Sequence, residues 1–535
     1  MSKKYLLITL IVITVIYYLP IIKLPVAPYD EAVILVGAER VLAGQIPYKD
    51  FLTVYGPGQV YTLASVFKVL GTSVTSERIY DIAIKSCLSL LIFLIIRQLS
   101  SNKTAIAGWV MSLIWIDYSR FHAYPVYPSV LFTFLCIYFL VLHMRRGKLY
   151  YIVLSSTSIV LAVLFRHDLG GLAAIAIALV LLVRRLTGAQ RSWTPLVTYI
   201  ASGIALGTPV ILYFVLSDAK AVINNLIIMP LDMIANQQDL PYPALSRYNL
   251  PFYVFPLMSL TGITSFFIFV KRKMDETTAY GILLISAAGV AFFNQAWGRA
   301  DAIHLLPSAL AGILLSPILL DALRKMLSLS PRSYGLLFIG FIIFFGTTLS
   351  KPLSRNILLL PGNYDIEIIN PEIERAKYSI LAEDTKNTAS YLKKNIPADD
   401  YIYVGVKNHD QLIFNNAIIY FLAERKCATK YHELNPGQTN TLLIQEEIVD
   451  ELKSRSIGAI VLTPGWRDEP NLSSRDAKID VLDNYIADHF ELKETFGIYE
   501  IWMKKGGEPI SWYQNGHRMF QTFTLDKYSD AGVSS

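Results

Sequence analysis

Eleven predominantly apolar stretches, most of them close to the roughly 20 residues that carry a helix across a bilayer, leave this chain few folds to choose from. They fall at about 4–22, 78–97, 104–118, 124–143, 149–166, 168–186, 193–216, 251–271, 278–296, 302–323 and 333–350. Runs of this kind cross a membrane as helices because only a helix closes its backbone hydrogen bonds within one segment. The third is short, and the fifth and sixth are parted only by the turn Arg166-His167-Asp168. With 53% hydrophobic and 17% charged residues and a mean hydropathy of +0.42, the chain is too apolar for a soluble protein. The first span is read as a retained anchor, since its apolar run exceeds a usual secretory core and no small-residue cleavage site precedes Asp30.

Basic residues gather on alternate connections: Lys3 and Lys4, Arg97 and Lys103, Arg145 to Lys148, Arg184 to Arg191, Lys271 to Lys273, and Arg324 to Arg332. By the positive-inside rule that side is cytoplasmic, with the amino terminus inside. The net charge of +6 is thereby explained by orientation, without a nucleic-acid partner. The cytoplasmic connections are each about ten residues or fewer, too short for a nucleotide-binding domain, and no GxxxxGK[ST] or GxGxxG loop follows a strand there. Chemistry is therefore expected on the other face, in the plasma (inner) membrane, with any activated substrate arriving in the lipid.

That face carries an unusual first loop, 23–77. Asp30 and Glu31 open a run with helical apolar spacing (Ile34, Ala38, Val41) that stops at Gly44, and a second run (Val60, Leu63, Ala64, Phe67, Leu70) follows Gly56-Pro57-Gly58. Both read as amphipathic helices at the membrane surface. Tyr48, Phe51, Tyr55 and Tyr61 are assigned to an interfacial aromatic belt. A second loop, 217–250, is long enough to be a lid or to pack on the tail.

From about residue 351 the regime changes. Strand-like segments (401–406, 459–463, 498–503) alternate with helical ones (384–394, 412–424, 443–454, 476–489), which predicts an exoplasmic α/β domain over 351–535 behind a transmembrane domain over 1–350. Asn435-Pro436-Gly437 and Pro464-Gly465 mark turns, and the stretch after Gly506 has weak patterning. Cys427 stands alone in this tail, which excludes a disulfide within it, and no Cys/His spacing suits a structural metal.

The acidic pair, followed by GAERVLAGQIPYKDF and YGPGQVYTLASVFKVLG, together with FRHDLGG (165–171) and WGRADAIHLLP (297–307), resembles the GT-C superfamily of membrane glycosyltransferases, its RgtA/B/C/D-like members above all. More distantly it is similar to dolichyl-phosphate-mannose protein mannosyltransferases and the lipid A aminoarabinose transferase. The resemblance implies a polytopic α-helical GT-C membrane protein that moves a sugar from a polyprenyl-phosphate carrier to an exoplasmic lipid, polysaccharide or protein, usually with inversion.

Inversion needs one carboxylate to take the proton of the attacking hydroxyl and cations for the charge that builds on the departing phosphate. Asp30 matches the family's acidic motif at the position of the base; read by itself, it is more readily a helix cap than a catalytic residue. Glu31, about 100° round the helix, is a first-turn charge or an acceptor contact. Arg166, His167, Arg299 and His304 are the phosphate candidates, each otherwise an interfacial side chain reaching for water. Asp168 and Asp301 orient the arginines or hold a divalent cation; no other cofactor is called for. Arg78 and Lys85 are supporting candidates, Lys85 being costly inside a span unless partnered. Asp410, in His409-Asp410, reads as a capping residue. A transporter or flippase of a lipid-linked saccharide is the alternative, and a non-catalytic scaffold a third; mid-span charges and broken helices in two related halves would favour transport.

Overall fold

The computed structural model describes residues 3–232, 239–273, 275–357, 367–410, 414–435, 441–465 and 477–506. Each of the eleven apolar stretches lies on a helix: α1 (Lys3–Tyr18), α4 (Val74–Leu99), α5 (Asn102–Tyr118), α6 (Val126–Arg146), α7 (Tyr150–Phe165), α8 (His167–Leu186), α9 (Thr194–Ile223), α11 (Leu250–Lys271), α12 (Glu276–Gly298), α13 (Ala302–Met326) and α14 (Pro331–Thr348). Among the described residues eight helices are long and apolar enough to cross a membrane, or nine if α14 and the bent α15 (Ser350–Ile357) make one span. The protein is a polytopic membrane protein. The short third stretch, α5, has 17 residues, which rise only about 25 Å; it is wedged against α4 and α13.

The first loop holds the two expected helices, α2 (Asp30–Leu42) and α3 (Gly58–Leu70). In α2, however, Glu31 through Ala38 are all buried, because α3 covers one side and α17 (Ile418–Ala423) of the tail the other. Tyr48 and Phe51 are likewise buried, not belt residues: Tyr48 meets Phe214 edge-on at 5.5 Å and Phe51 meets His432 at 5.5 Å. The second loop is also more ordered than its composition suggests. Backbone at Asp218 is extended, and its Oδ1 accepts from Ala221 N–H at 2.9 Å, restarting the helix. A π-helical turn (Asn224–Ile228) and α10 (Met229–Asp232) follow.

Lys85 has its partners. It pairs with Asp81 at 2.7 Å, donates to the Phe121 carbonyl at 2.9 Å and lies 4.7 Å above the Tyr127 ring, while Asp81 also holds His122 (2.9 Å) and the Ala123 N–H (3.2 Å). This buried cluster pins the turn before α6, and with it Tyr124.

Gly56 explains the Gly-Pro-Gly break. A Cβ there would stand 2.1 Å from the Leu164 carbonyl oxygen, so the loop touches the end of α7 only because no side chain intervenes. Gly56→Ala is expected to lower stability by about 1–3 kcal/mol, read as a drop in apparent Tm of the purified protein. Gly335→Ala, where a Cβ meets nothing within 4 Å, should leave it in place.

The tail is a five-stranded sheet ordered β2-β1-β3-β5-β4. Its strands are β1 (Tyr401–Val406), β2 (Lys426–Cys427), β3 (Ile457–Thr463), β4 (Phe490–Phe496) and β5 (Tyr499–Lys504). β1 runs parallel to β2 and β3, and β5 antiparallel to β3 and β4. The near-continuous apolar runs YIYVGV and IGAIVLT suit strands covered on both faces. Helices α16 (Glu383–Asn395), α17, α18 (Leu442–Ser454) and α19 (Val481–His489) flank the sheet. β2 and β4 are additions to the expected pattern; β4 is mostly exposed and charged, which hid it. The Asn435-Pro436-Gly437 turn, the start of the 412–424 run and the stretch after Gly506 lie wholly or partly outside the described residues.

Candidate active site

Asp30 is the first residue of α2, with Tyr29 in the cap position and no side-chain capping bond there. Its carboxylate is half-buried. Burial pushes its pKa up and Asp301 adds to the rise, while Arg299 and His304 pull it back, leaving it at about 6. Loop one and the WGRADAIHLLP stretch, some 270 residues apart in sequence, therefore meet at one place.

Asp301 organises that stretch. It caps α13, its Oδ1 accepting from the His304 N–H at 3.0 Å and from His304 Nδ1 at 2.7 Å, and its Oδ2 takes Arg299 Nε at 3.0 Å. Burial would raise this carboxyl, but the His304 and Arg299 contacts hold it at about 2. The second arginine turn is built alike. Arg166 Nε and Nη2 donate to Asp168 Oδ1 and Oδ2 at 2.9 and 2.7 Å, and Gln295 of α12 donates to Oδ2 at 2.7 Å. The guanidinium so fixed lies 5.2 Å from the Tyr55 ring centre. Tyr55 and Tyr124 share a hydroxyl hydrogen bond of 2.6 Å, and both feel the charges of Asp30 and Arg166. All four oxygens of Asp168 and Asp301 are thus occupied with protein donors. These two carboxylates brace the Arg166, Arg299 and His304 side chains; among the described residues no group of three or more His, Cys, Asp and Glu side chains is arranged for a divalent ion.

The remaining candidates are placed elsewhere. Glu31 is 2% exposed and faces away from the cluster, pairing with Arg78 at 2.8 Å and accepting from Ala27 N–H at 2.9 Å. Arg78 has no exposure; it also touches Glu77 at 3.3 Å and donates to the Pro25 carbonyl at 3.2 Å. Burial raises the Glu31 carboxyl against the pull of Arg78. This trio fastens α2 to α4. His167, at the head of α8, is half-buried beside the backbone of Leu226. Asp410 stands just before residues outside the description.

One residue of this neighbourhood carries no sequence signal. Glu433, 3% exposed, is pushed up to about 8 by burial, opposed by Asn435, with the Asp30 charge adding to the rise. It lies in an irregular segment of the tail, and only the folded contact reveals it.

No family model matches the sequence, and no curated protein matches it either. Solved structures do. The chain is similar to ArnT from Cupriavidus metallidurans bound to undecaprenyl phosphate, with 12% identity, TM-score 0.54, and coverage of 94% of this chain and 98% of that one. It is also similar to the archaeal oligosaccharyltransferase AglB from Archaeoglobus fulgidus in complex with an inhibitory peptide and a dolichol-phosphate, with 11% identity, TM-score 0.53, and coverage of 86% and 70%. At such identities the likeness is one of architecture. The chain has the GT-C fold, the architecture its loop and turn motifs resemble.

Proposed function

We propose that the protein is an inverting membrane glycosyltransferase that moves a sugar from a polyprenyl-phosphate carrier to a hydroxyl acceptor on the exoplasmic face, with Asp30 as general base. One arrangement carries the reading: a half-buried carboxylate at the head of α2, raised by burial to about 6, lies within electrostatic reach of an arginine and a histidine that a second carboxylate holds in place. The two structural neighbours, one holding undecaprenyl phosphate and the other a dolichol-phosphate, support the class of donor.

In this reading the acceptor oxygen attacks the anomeric carbon as its proton passes to Asp30. The bond from that carbon to the phosphate oxygen breaks, and the lipid phosphate keeps the electron pair. Arg299, His304 and Arg166 face the charge it acquires; Asp301 and Asp168 fix those side chains beforehand, so little reorganisation is left for the transition state. Glu31 and Arg78 hold α2 in place. The spans through residue 350 supply the lipid-side walls, and the tail from 351 closes the outer side.

The test uses membranes and a sugar-labelled polyprenyl-phosphate donor. A base must be unprotonated, so transfer falls as pH drops through about 6. Arg299→Gln and Arg166→Gln each lower kcat/KM for the donor by about 10²–10³, with little change in acceptor KM. Rates indifferent to pH across that range, or to both substitutions, sink the proposal.

A further inference from the structure

The tail does more than cover α2; it brings the Glu433 carboxyl within electrostatic reach of Asp30. His432 Nε2 bonds the Val33 carbonyl at 3.2 Å, and the Tyr29 hydroxyl donates to Asn435 Oδ1 at 2.7 Å. Residues one before and two after Glu433 are thus tied to residues three after and one before Asp30. Further along, Arg40 Nη1 donates to the Thr429 carbonyl at 2.9 Å, Leu52 N–H to the Lys430 carbonyl at 3.0 Å, and Ile418 N–H to the Pro28 carbonyl at 3.2 Å. A segment fixed at so many points has no freedom to turn Glu433 away. Yet the Arg78 and Arg166 guanidinium groups are engaged with Glu31 and Asp168, and the ionisable groups that interact with Glu433 include Asp30, another acid, and the Tyr29 phenol. An anion placed here opposes both Asp30 and an incoming phosphate; a neutral acid does not, and it still offers a hydrogen bond.

We propose that Glu433, held against the head of α2 by the docked tail, completes the site by positioning the acceptor hydroxyl beside Asp30 through a hydrogen bond. The inference rests on the reading of Asp30 as base. The groups that set the behaviour of the pair are Asp301, Arg299 and His304 on the α12–α13 side, Tyr55, Tyr124 and Arg166 beyond Asp30, Tyr29 and Arg40 at the two ends of α2, and Asn435 with His432 on the tail side. With Glu433 at about 8 and Asp30 at about 6, the working form, Asp30 charged and Glu433 neutral, exists between the two values.

The experiment compares full-length wild type with E433Q, E433A and D30N in membranes. Wild-type transfer falls above about pH 8; in E433Q, which cannot ionise, that fall disappears while the acid limb near 6 stays. E433A, which loses the donor, raises acceptor KM about tenfold, and E433Q recovers most of it. Infrared spectra give a readout apart from activity: a protonated-carboxyl band at neutral pH that titrates near 8 in wild type, is missing in E433Q, and titrates lower in D30N because the neighbouring charge is gone. An E433Q profile that falls like wild type, an unmoved acceptor KM in E433A, or no carboxyl band lost in E433Q overturns the role of Glu433. Full transfer by D30N instead overturns the base, whatever Glu433 does.

Discussion

Asp30→Asn leaves the protein inserted at its normal level and reduces sugar transfer by about 10²–10⁴-fold, the usual contribution of a positioned general base. Asparagine keeps the shape of the side chain and removes only the proton acceptor, so helix α2, buried along Glu31 to Ala38, has no reason to move. The loss belongs in kcat, with donor KM unchanged or tightened, because one negative charge facing the lipid phosphate is gone. Labelled-sugar transfer in membranes, normalised to the amount of protein by immunoblot, measures it. Activity within a few-fold of wild type would remove Asp30 from the chemistry and leave it a half-buried first-turn acid.

Arg78→Met is expected to do its damage in folding. The guanidinium sits without solvent between Glu31 at 2.8 Å and Glu77 at 3.3 Å, and removing one partner from such a set costs about 3–5 kcal/mol, since the carboxyls left behind stay buried. The variant should lose most of its apparent Tm margin and much of its membrane abundance. Adding Glu31→Gln to it should recover part of the loss, because the two changes act on one network and do not add. A single variant as stable as wild type would mean that α2 is held to α4 by packing alone.

What could be read from the sequence follows from the range of the forces involved. The spans were legible because bilayer insertion depends on local hydrophobicity alone, and α4 through α14 lie close to where the apolar runs put them. Asp30 stands out locally as the head of an acidic pair and Arg166, His167, Arg299 and His304 as residues at span ends, but only the folded chain brings the Arg299 and His304 charges to bear on Asp30. Tyr48 and Phe51 misled, because a ring at an interface and a ring buried under a docked tail have the same sequence signature. The 217–232 stretch misled in the opposite way: Asp218 breaks α9 and then caps its continuation, so a true break was taken for the start of a loop. Glu31 and Glu433 depended on partners 47 and 403 positions from them, Arg78 and Asp30, and nothing local marks a pairing of that span.

The many bonds between α2 and the segment 429–435 bear on how the molecule is made. Ribosomes deliver Asp30 about 400 residues before His432, Glu433 and Asn435. Docking across so wide a separation comes late, once its entropy cost is met by a folded sheet. A nascent chain that stops short of residue 429 therefore leaves α2 without these partners and, in the reading proposed here, leaves Asp30 without Glu433.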